Sequence, residues 1–265
     1  MRHYYYLISG LQDISLDDSK APVSVDSFRT EIYDALSGAD RKVMDLLQVE
    51  NECRNLIGSE RMEQLMADVK AQEMSSEGVP PFMYAFVQEW LDESWREKAA
   101  FAEDRLWSLF YEYAMHCGNE FVSRWYEFNL NLNNILGAIT ARKYNLDIQK
   151  VVVGDNAVAQ ALRTSGARDW GLSQELDYFD DVVRLLDEGD LSQRERRMDL
   201  LRWNWLEENT FFNYFTVERL FSYMVRLGMV ERWSSLDKEE GQKLFRKLIG
   251  DLKEQTEVPD EFKIK

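Results

Sequence analysis

One of the two histidines in the chain has carboxylates at helical spacing on both sides. Glu112, His116 and Glu120 stand at i, i+4 and i+8, so a continuous helix would present all three on one face. Metal sites in helical bundles use a Glu-x-x-His spacing twice, together with two further carboxylates. The spacing here differs, no second histidine joins it, and Gly118 interrupts the segment. We therefore favour a solvated polar face and expect neither a metal nor another cofactor.

Other acidic side chains adjoin one another at Asp180 and Asp181, with Asp177 and Asp187 nearby. Paired carboxylates can perform general acid–base catalysis. In a chain with 48 Asp and Glu residues, however, such pairs arise from composition alone, which favours a solvated helix face. GxSxG, CxxC, P-loop and GxGxxG motifs are all absent from the sequence. These absences remove most hydrolase, kinase and dehydrogenase interpretations.

Arginines are concentrated in the stretch "QRERRMDLLRWNW" of an otherwise acidic chain: Arg194, Arg196, Arg197 and Arg202. Because arginine binds carboxylates through two parallel hydrogen bonds, the cluster could contact an acidic partner. We take Arg196, Arg197 and Arg202 as the candidate contact residues. The alternative is pairing within the molecule, with Glu195, Asp199 and the acidic segment that precedes them.

Charge and hydropathy limit the partners and the location. The formal net charge of −16 should repel nucleic acid and anionic lipid. The N-terminal apolar run stops at Ser9-Gly10, too early for a signal peptide, and nowhere do about 18 apolar residues follow one another. Two isolated cysteines, Cys53 and Cys117, fit a reducing compartment. We expect a cytoplasmic or peripheral protein without a membrane span.

Apolar periodicity predicts an all-α protein, with one short strand as an option at "YYYLISGL". In the first half we expect a helix that Gly38 ends, a helix over 40–56, a helix capped by Ser59, and two helices over 82–117 joined near Ser94. The glycine-rich stretch after 144 suggests a boundary between an N-terminal section, 1–150, and a C-terminal section, 151–265, or else one continuous domain. Val151–Val153 could be extended.

The C-terminal section contains three predicted helices before a last, separately capped one. The first opens at Leu172-Ser173 and ends near Gly189. The second begins with a capping box formed by Ser192 and Glu195. A third follows Thr216 as a buried stripe, and Asp237 with Glu240 would cap the last helix.

Asparagines crowd into "FNLNLNNILGAITARKYNL", at positions 129, 131, 133 and 134. An alternating strand fits the first residues, but a helical pattern covers more of the segment, and a lone strand among helices would leave its edges unpaired. We therefore predict a helix, although asparagine is a poor helix former. Whether the asparagines are exposed or buried stays open; buried amides would need hydrogen-bond partners.

This segment resembles a motif of the V-type ATPase and ATP synthase component that is named C in prokaryotes and d in eukaryotes. In that motif an acidic residue is followed by Asn-Ile three positions on, then by Leu-Arg and a basic residue. The matching positions are Asn134, Ile135, Ile139, Arg142 and Lys143. Asn131 replaces the acidic residue and Thr140 replaces the first arginine.

A second stretch, "FFNYFTVERLFSYMVRLGMVERW", resembles a late helix of the same C/d family. Glu218 and Tyr223 match, whereas Arg226, Leu227 and Gly228 depart from its acidic end. The whole chain, including "YYYLISGLQDI" and "ERWSSLDKEEG", is similar to an uncharacterised bacterial family whose genes lie beside those for V-type ATP synthase. Members of the C/d family are commonly longer and have three similar helical sections.

The resemblance implies an elongated multi-helix bundle of the C/d type. It implies a non-catalytic socket of the central stalk, placed between the membrane rotor ring and the rest of the stalk at the cytoplasmic face of the membrane. The expected partners are the stalk proteins and the ring, with no nucleic acid. Two other interpretations stay open: a helical adaptor unrelated to rotary ATPases, and a metal-dependent enzyme that uses Glu112, His116 and Glu120.

Overall fold

The computed structural model describes residues 3–74, 78–92 and 101–255, with side chains as far as Leu236. Within these ranges the chain is all-α, as predicted, and forms no strand. The predicted junction near Ser94 lies outside the described residues. The helices are α1 (Tyr5–Ser9), α2 (Val25–Tyr33), α3 (Gly38–Leu56), α4 (Glu60–Ala71), α5 (Pro81–Leu91), α6 (Ala102–Met115), α7 (Glu120–Lys143), α8 (Ile148–Val151), α9 (Ala157–Thr164), α10 (Phe179–Leu185), α11 (Leu191–Thr210) and α12 (Val217–Gln255).

The optional N-terminal strand is wrong, because Tyr5–Ser9 is helical. The Ile8 amide donates to the Tyr4 carbonyl at 3.0 Å, and the Tyr4 amide donates to the Phe215 carbonyl at 2.6 Å. With no described strand beside it, this segment satisfies its backbone groups by a helical turn and by docking on the loop before α12.

Side-chain caps decide where several helices begin. Ser59 caps α4 as predicted, since its hydroxyl accepts from the Met62 amide. Gly38 does not end a helix: α2 ends at Tyr33, and Ser37 caps α3 just before Gly38. The predicted capping box is also wrong, because Asp190 accepts from the amides of Ser192 and Gln193 and so starts the helix earlier.

Two of the predicted C-terminal helices have other limits. Only Phe179–Leu185 is helical in the segment expected to run from 172 to 189. Trp170 and Gly171 adopt positive φ angles of 56° and 81°, and the chain forms turns over 172–178 before α10 begins. The cap expected at Asp237 is absent, because α12 runs unbroken from Val217 to Gln255.

Buried side chains form two hydrophobic clusters that meet along α7. The larger cluster joins α2–α7 to α11 and α12 and includes Leu130. The smaller one begins at Leu132 and packs the second half of α7 against α8, α9 and α10. The boundary predicted at 150 stays a prediction. Across the described ranges, none of the helices combines the length and apolar composition needed to cross a bilayer.

A glycine lets α8 pack closely on α7. A Cβ atom added to Gly137 would lie 2.8 Å from the Cγ1 atom of Val151, closer than packed carbon atoms tolerate. This contact brings the segment that follows α8 alongside the asparagine face of α7. Val152 is extended there, but Val151 ends α8, so the predicted extended piece is shorter than expected and pairs with no strand in the described chain.

Candidate partner-binding site

The proposed metal-like trio does not lie on one helix. α6 ends at Met115, Gly118 has a φ angle of 81°, and α7 begins at Glu120. The Nδ1 atom of His116 lies 2.7 Å from the carbonyl oxygen of Glu112 and so contacts the helix end. Among the described residues, no three His, Cys, Asp or Glu side chains are grouped so that they could hold a metal ion.

The asparagine segment is helical, as predicted, and its amides bind specific partners. Asn134 is 2% exposed. Its Nδ2 atom donates to the Val153 carbonyl at 2.7 Å, and its Oδ1 atom accepts from the Val153 amide at 2.8 Å. The Asn134 side chain thus makes both of the backbone hydrogen bonds that a neighbouring strand would otherwise make to Val153. Asparagine is suited to this position because its amide is both a donor and an acceptor.

Two neighbouring asparagines connect α7 to other elements. Asn131 accepts from Asn156 at 2.7 Å, and Asn156 in turn caps α9 through the Ala159 amide. Asn129 accepts from the Nε atom of Arg202 at 2.9 Å and so ties α7 to α11. Asn133 is the exposed member of the group. The face is therefore mostly buried and used for tertiary hydrogen bonds.

The candidate arginines are paired within the molecule. Arg196 contacts Asp17 at 2.6 Å and Arg197 contacts Glu188 at 3.1 Å, and their side chains are 38% and 56% exposed. Arg202 is 16% exposed and bonds to Asp199 as well as Asn129. Arg202 is thus partly buried, and the other two are more exposed. Their role as partner contacts stays a prediction.

Asp199 is the centre of a buried polar network. It is 1% exposed and accepts from the Trp233 indole at 2.8 Å and from Arg202 at 3.3 Å, and it also pairs with Arg232. These contacts link α11 to α12. Trp203 is buried and Trp205 is partly buried, so the two neighbouring tryptophans differ in exposure.

The residues that match the first motif are buried or make hydrogen bonds within the molecule. Ile135 is fully buried beside Asn134. Arg142 donates to the carbonyls of Arg168 and Ala167 at 2.5 and 3.2 Å, with its guanidinium 3.7 Å from the Trp170 ring centre. Arg142 therefore fixes the loop between α9 and α10 to the end of α7.

The late-helix positions are also buried. Glu218 is 5% exposed, and its Oε1 atom accepts from the Asn119 amide at 2.9 Å. Its Oε2 atom has no hydrogen-bond partner in the described structure. Tyr223 packs on Phe28 with 5.0 Å between ring centres, and burial raises its pKa. These contacts join the start of α12 to α7 and α2.

Sequence reasoning missed an exposed group of aromatic side chains where the start of α1 docks beside the turn between α11 and α12. Its exposed fractions are high: Tyr5 58%, Tyr6 91%, Phe211 62%, Phe212 82% and Tyr214 58%. We call these five residues the aromatic surface. The available signal was the run "FFNYF", in which aromatic residues follow one another where a helix ends.

Ring contacts join three members of the aromatic surface directly and bring a fourth, Tyr5, to the residue that follows Tyr214. Phe211 lies 5.0 Å from Phe212 and 6.4 Å from Tyr214, measured between ring centres. Tyr5 lies 4.5 Å from Phe215, which brings α1 to the same place. Soluble proteins rarely leave so many large aromatic side chains together in solvent unless they contact a partner. The arrangement is suited to binding.

A second candidate surface is a groove of about 290 Å³ between α7 and α11. Its lining is mainly apolar and includes Leu136, Leu146, Leu191 and Met198, with Arg194 at one side. Leu146 and Leu191 are 57% and 66% exposed. The Nε atom of Arg194 is buried without a hydrogen-bond partner in the described structure.

The strongly shifted pKa values belong to buried groups away from these two surfaces. Burial raises the pKa of the Cys53 thiol to about 12 and that of the Tyr111 phenol to about 12. Both groups are therefore held protonated, and the Cys53 thiol is a poor nucleophile near neutral pH. The surfaces described above offer contact area and hydrogen-bonding groups.

In comparisons with known proteins, the sequence matches one family profile but no individual curated protein or solved structure. One family profile, described as a protein of unknown function (DUF2764), matches residues 1–256, which is nearly the whole chain. The chain belongs to the DUF2764 family.

Proposed function

We propose that the protein is a non-catalytic component of a V-type ATPase or ATP synthase. It would act at the cytoplasmic face of the membrane as a socket of the C/d type, between the rotor ring and the central stalk. The sequence resemblance around Asn134-Ile135 and Glu218–Tyr223 suggests which assembly it joins. The observation that carries a binding role is the aromatic surface, whose five side chains are each more than half exposed.

The hydrogen bonds that link α7 to other segments support a role in transmitting torque. A socket must keep its shape under torque, so its long helices need cross-links other than apolar contacts alone. Asn129, Asn131 and Asn134 each bond α7 to a different segment, and Asp199 bonds α11 to α12. Directional hydrogen bonds between buried groups specify one arrangement of helices more sharply than apolar packing does.

The test is affinity purification of the tagged full chain from its own cells, including solubilised membranes, with every co-purifying chain identified and quantified. Recovery of stalk and ring proteins in near-equal amounts is the expected result. A Phe212→Ser/Tyr214→Ser variant should recover them less well. Tyr144→Ser is the matched control, because Tyr144 is 65% exposed but caps the C-terminal end of α7, whereas the end of α11 lies beside the start of α7, where Arg124 bonds to Asn209. Normal ATPase assembly without this protein would contradict the proposal.

The second candidate is a helical adaptor unrelated to rotary ATPases, and the groove between α7 and α11 favours it. An apolar groove lined by exposed leucines is suited to a peptide that inserts an apolar side chain. Leu191→Ser would reduce such binding while leaving the aromatic surface unchanged. Capture of the same ATPase proteins by this variant as by the wild type would argue against the adaptor.

A further inference from the structure

We propose that the aromatic surface binds a basic segment of a protein partner, in which lysine or arginine residues alternate with apolar ones. A cationic side chain of the partner would lie beside Glu208 at the C-terminal end of α11, and its apolar neighbours would cover the rings. This inference rests on the proposed function only in that the chain binds another protein. It names the chemistry of that partner.

The available area is large enough for a specific complex. A large aromatic side chain buries about 150–250 Å² when fully covered. The five residues of the aromatic surface are 58–91% exposed, so covering them would remove roughly 500–900 Å² of accessible surface. A stable protein–protein interface buries about 800 Å² on each partner. The patch therefore matches one side of an ordinary interface.

The end of α11 gives this surface its charge preference. The last turn of α11 contains no basic residue, and Phe211 is its C-cap. The C-terminal end of a helix carries a partial negative charge from its unpaired carbonyl groups, which favours cations. Glu207 and Glu208 add two carboxylates in the same turn. Aromatic ring faces also attract lysine and arginine.

Three basic side chains belong to the segments around this helix end, and two of them are already in use. Arg226 is 4% exposed and stacks on Trp203. It pairs with Glu207 at 2.9 Å and so neutralises the charge of that carboxylate. Arg124 donates to the side chain of Asn209 at 3.1 Å, and Arg219 lies in the first turn of α12.

Glu208 is the carboxylate left for a partner. Its side chain is exposed, and it forms no ion pair with another described residue. It immediately precedes the last two residues of α11 and lies one turn before Phe212. A cation that binds Glu208 can therefore also contact the helix end and the rings.

Charge also argues against the other possible occupants. A second copy would place two identical acidic helix ends face to face and would bring together two chains of net charge −16. An anionic bilayer would meet the same repulsion. A basic protein segment gains from the same field, through faster association and through contact with Glu208. We therefore commit to a basic protein segment.

The test uses two synthetic amphipathic peptides that share their apolar residues. One has lysine and the other glutamate at every polar position. Binding of each to the purified full chain is measured by calorimetry at two salt concentrations. The lysine peptide should bind, more weakly at higher salt, and the glutamate peptide should bind at least about tenfold more weakly. Equal binding of both peptides would overturn the proposal.

Variants locate the binding. Phe212→Ser and Tyr214→Ser should each weaken binding of the lysine peptide by about tenfold or more, as removal of an aromatic hot spot does. Glu208→Gln should weaken it less and reduce its salt dependence. Tyr144→Ser should leave it unchanged, and thermal melts of all variants should match the wild type because the replaced side chains are exposed. Unchanged binding by both aromatic variants would overturn the proposal.

Two further measurements identify a different occupant. Sedimentation showing a dimer that Phe212→Ser abolishes would indicate a second copy. Binding to phosphatidylcholine vesicles that the same variant abolishes would indicate a lipid surface, and either result would overturn the proposal. Failure of the proposed function looks different: peptide binding persists, but no ATPase protein is recovered from cells. If the ATPase is recovered equally with Phe212→Ser and with the wild type, the function stands and this inference fails.

Discussion

Removing the side chain of Asn134 should destabilise the protein more than its size suggests. In the native structure this amide makes two hydrogen bonds to the backbone of Val153, at 2.7 and 2.8 Å, from a position that is 2% exposed. In Asn134→Ala both the N–H and the C=O group of Val153 lose their partner. Val153 is partly buried, so water can only partly replace the lost bonds.

The expected magnitude follows from these two groups. An unsatisfied buried backbone group costs about 1–3 kcal/mol. Because Val153 is partly accessible, the lower half of that range applies, giving roughly 2–4 kcal/mol for the pair. Alanine is the better helix former by about 0.5 kcal/mol, which offsets a small part of the loss. We expect the free energy of unfolding to fall by about 2–3 kcal/mol.

Asn133→Ala is the matched control. It changes the neighbouring residue of the same helix in the same way, but Asn133 is exposed and makes one hydrogen bond, to the Tyr111 hydroxyl at 3.2 Å. The gain in helix propensity offsets part of the loss of this one partly buried bond, so its free energy of unfolding should fall by less than about 1 kcal/mol.

Urea unfolding of both variants measures the difference, and amide hydrogen exchange locates it. In Asn134→Ala the Val153 amide should exchange much faster, while amides in α3 should follow the global change in stability. If Asn134→Ala costs no more than Asn133→Ala, or if Val153 remains protected, the account of the asparagine face as a backbone clamp is refuted.

Three further predictions concern buried charge, alkaline pH and assembly. Asp199→Ala should lower the free energy of unfolding by about 3 kcal/mol in urea titrations, because it leaves the Trp233 indole without its acceptor and removes the carboxylate that pairs with Arg202 and Arg232. An unchanged midpoint would contradict this. The pKa of Cys53 is raised from 9.0 to about 12, so above pH 9 the thiol loses its proton in the unfolded state before it does in the folded state. The free energy of unfolding should therefore fall by about 1.4 kcal/mol per pH unit until about pH 12. In Cys53→Ala this free energy should fall less steeply with pH, and an equal slope would refute the assignment. Arg196→Glu/Arg197→Glu should weaken recovery of the partner complex from cells if these arginines contact it, with thermal stability measured in parallel; wild-type recovery would reject their role.

The sequence by itself determined the helical class and several helix limits. Apolar spacing and a short-range cap are local, so Ser59 and the stripe after Thr216 identified their helices correctly. Local signals failed where two nearby residues could each cap the start of a helix. Asp190 has the cap role that sequence reasoning gave to Ser192, and Ser37 starts α3 before the predicted position 40, because the choice depends on where the preceding loop directs the chain.

Tertiary structure alone decided whether the asparagines are buried and where the aromatic side chains meet. Asn134 is paired with a residue 19 positions away, and Asn129 with Arg202, 73 positions away. Tyr5 and Tyr6 join Phe211, Phe212 and Tyr214 because the Tyr4 amide bonds to the Phe215 carbonyl across most of the chain. A periodicity reports which face of one helix is apolar, whereas these contacts depend on which distant segment packs against that face.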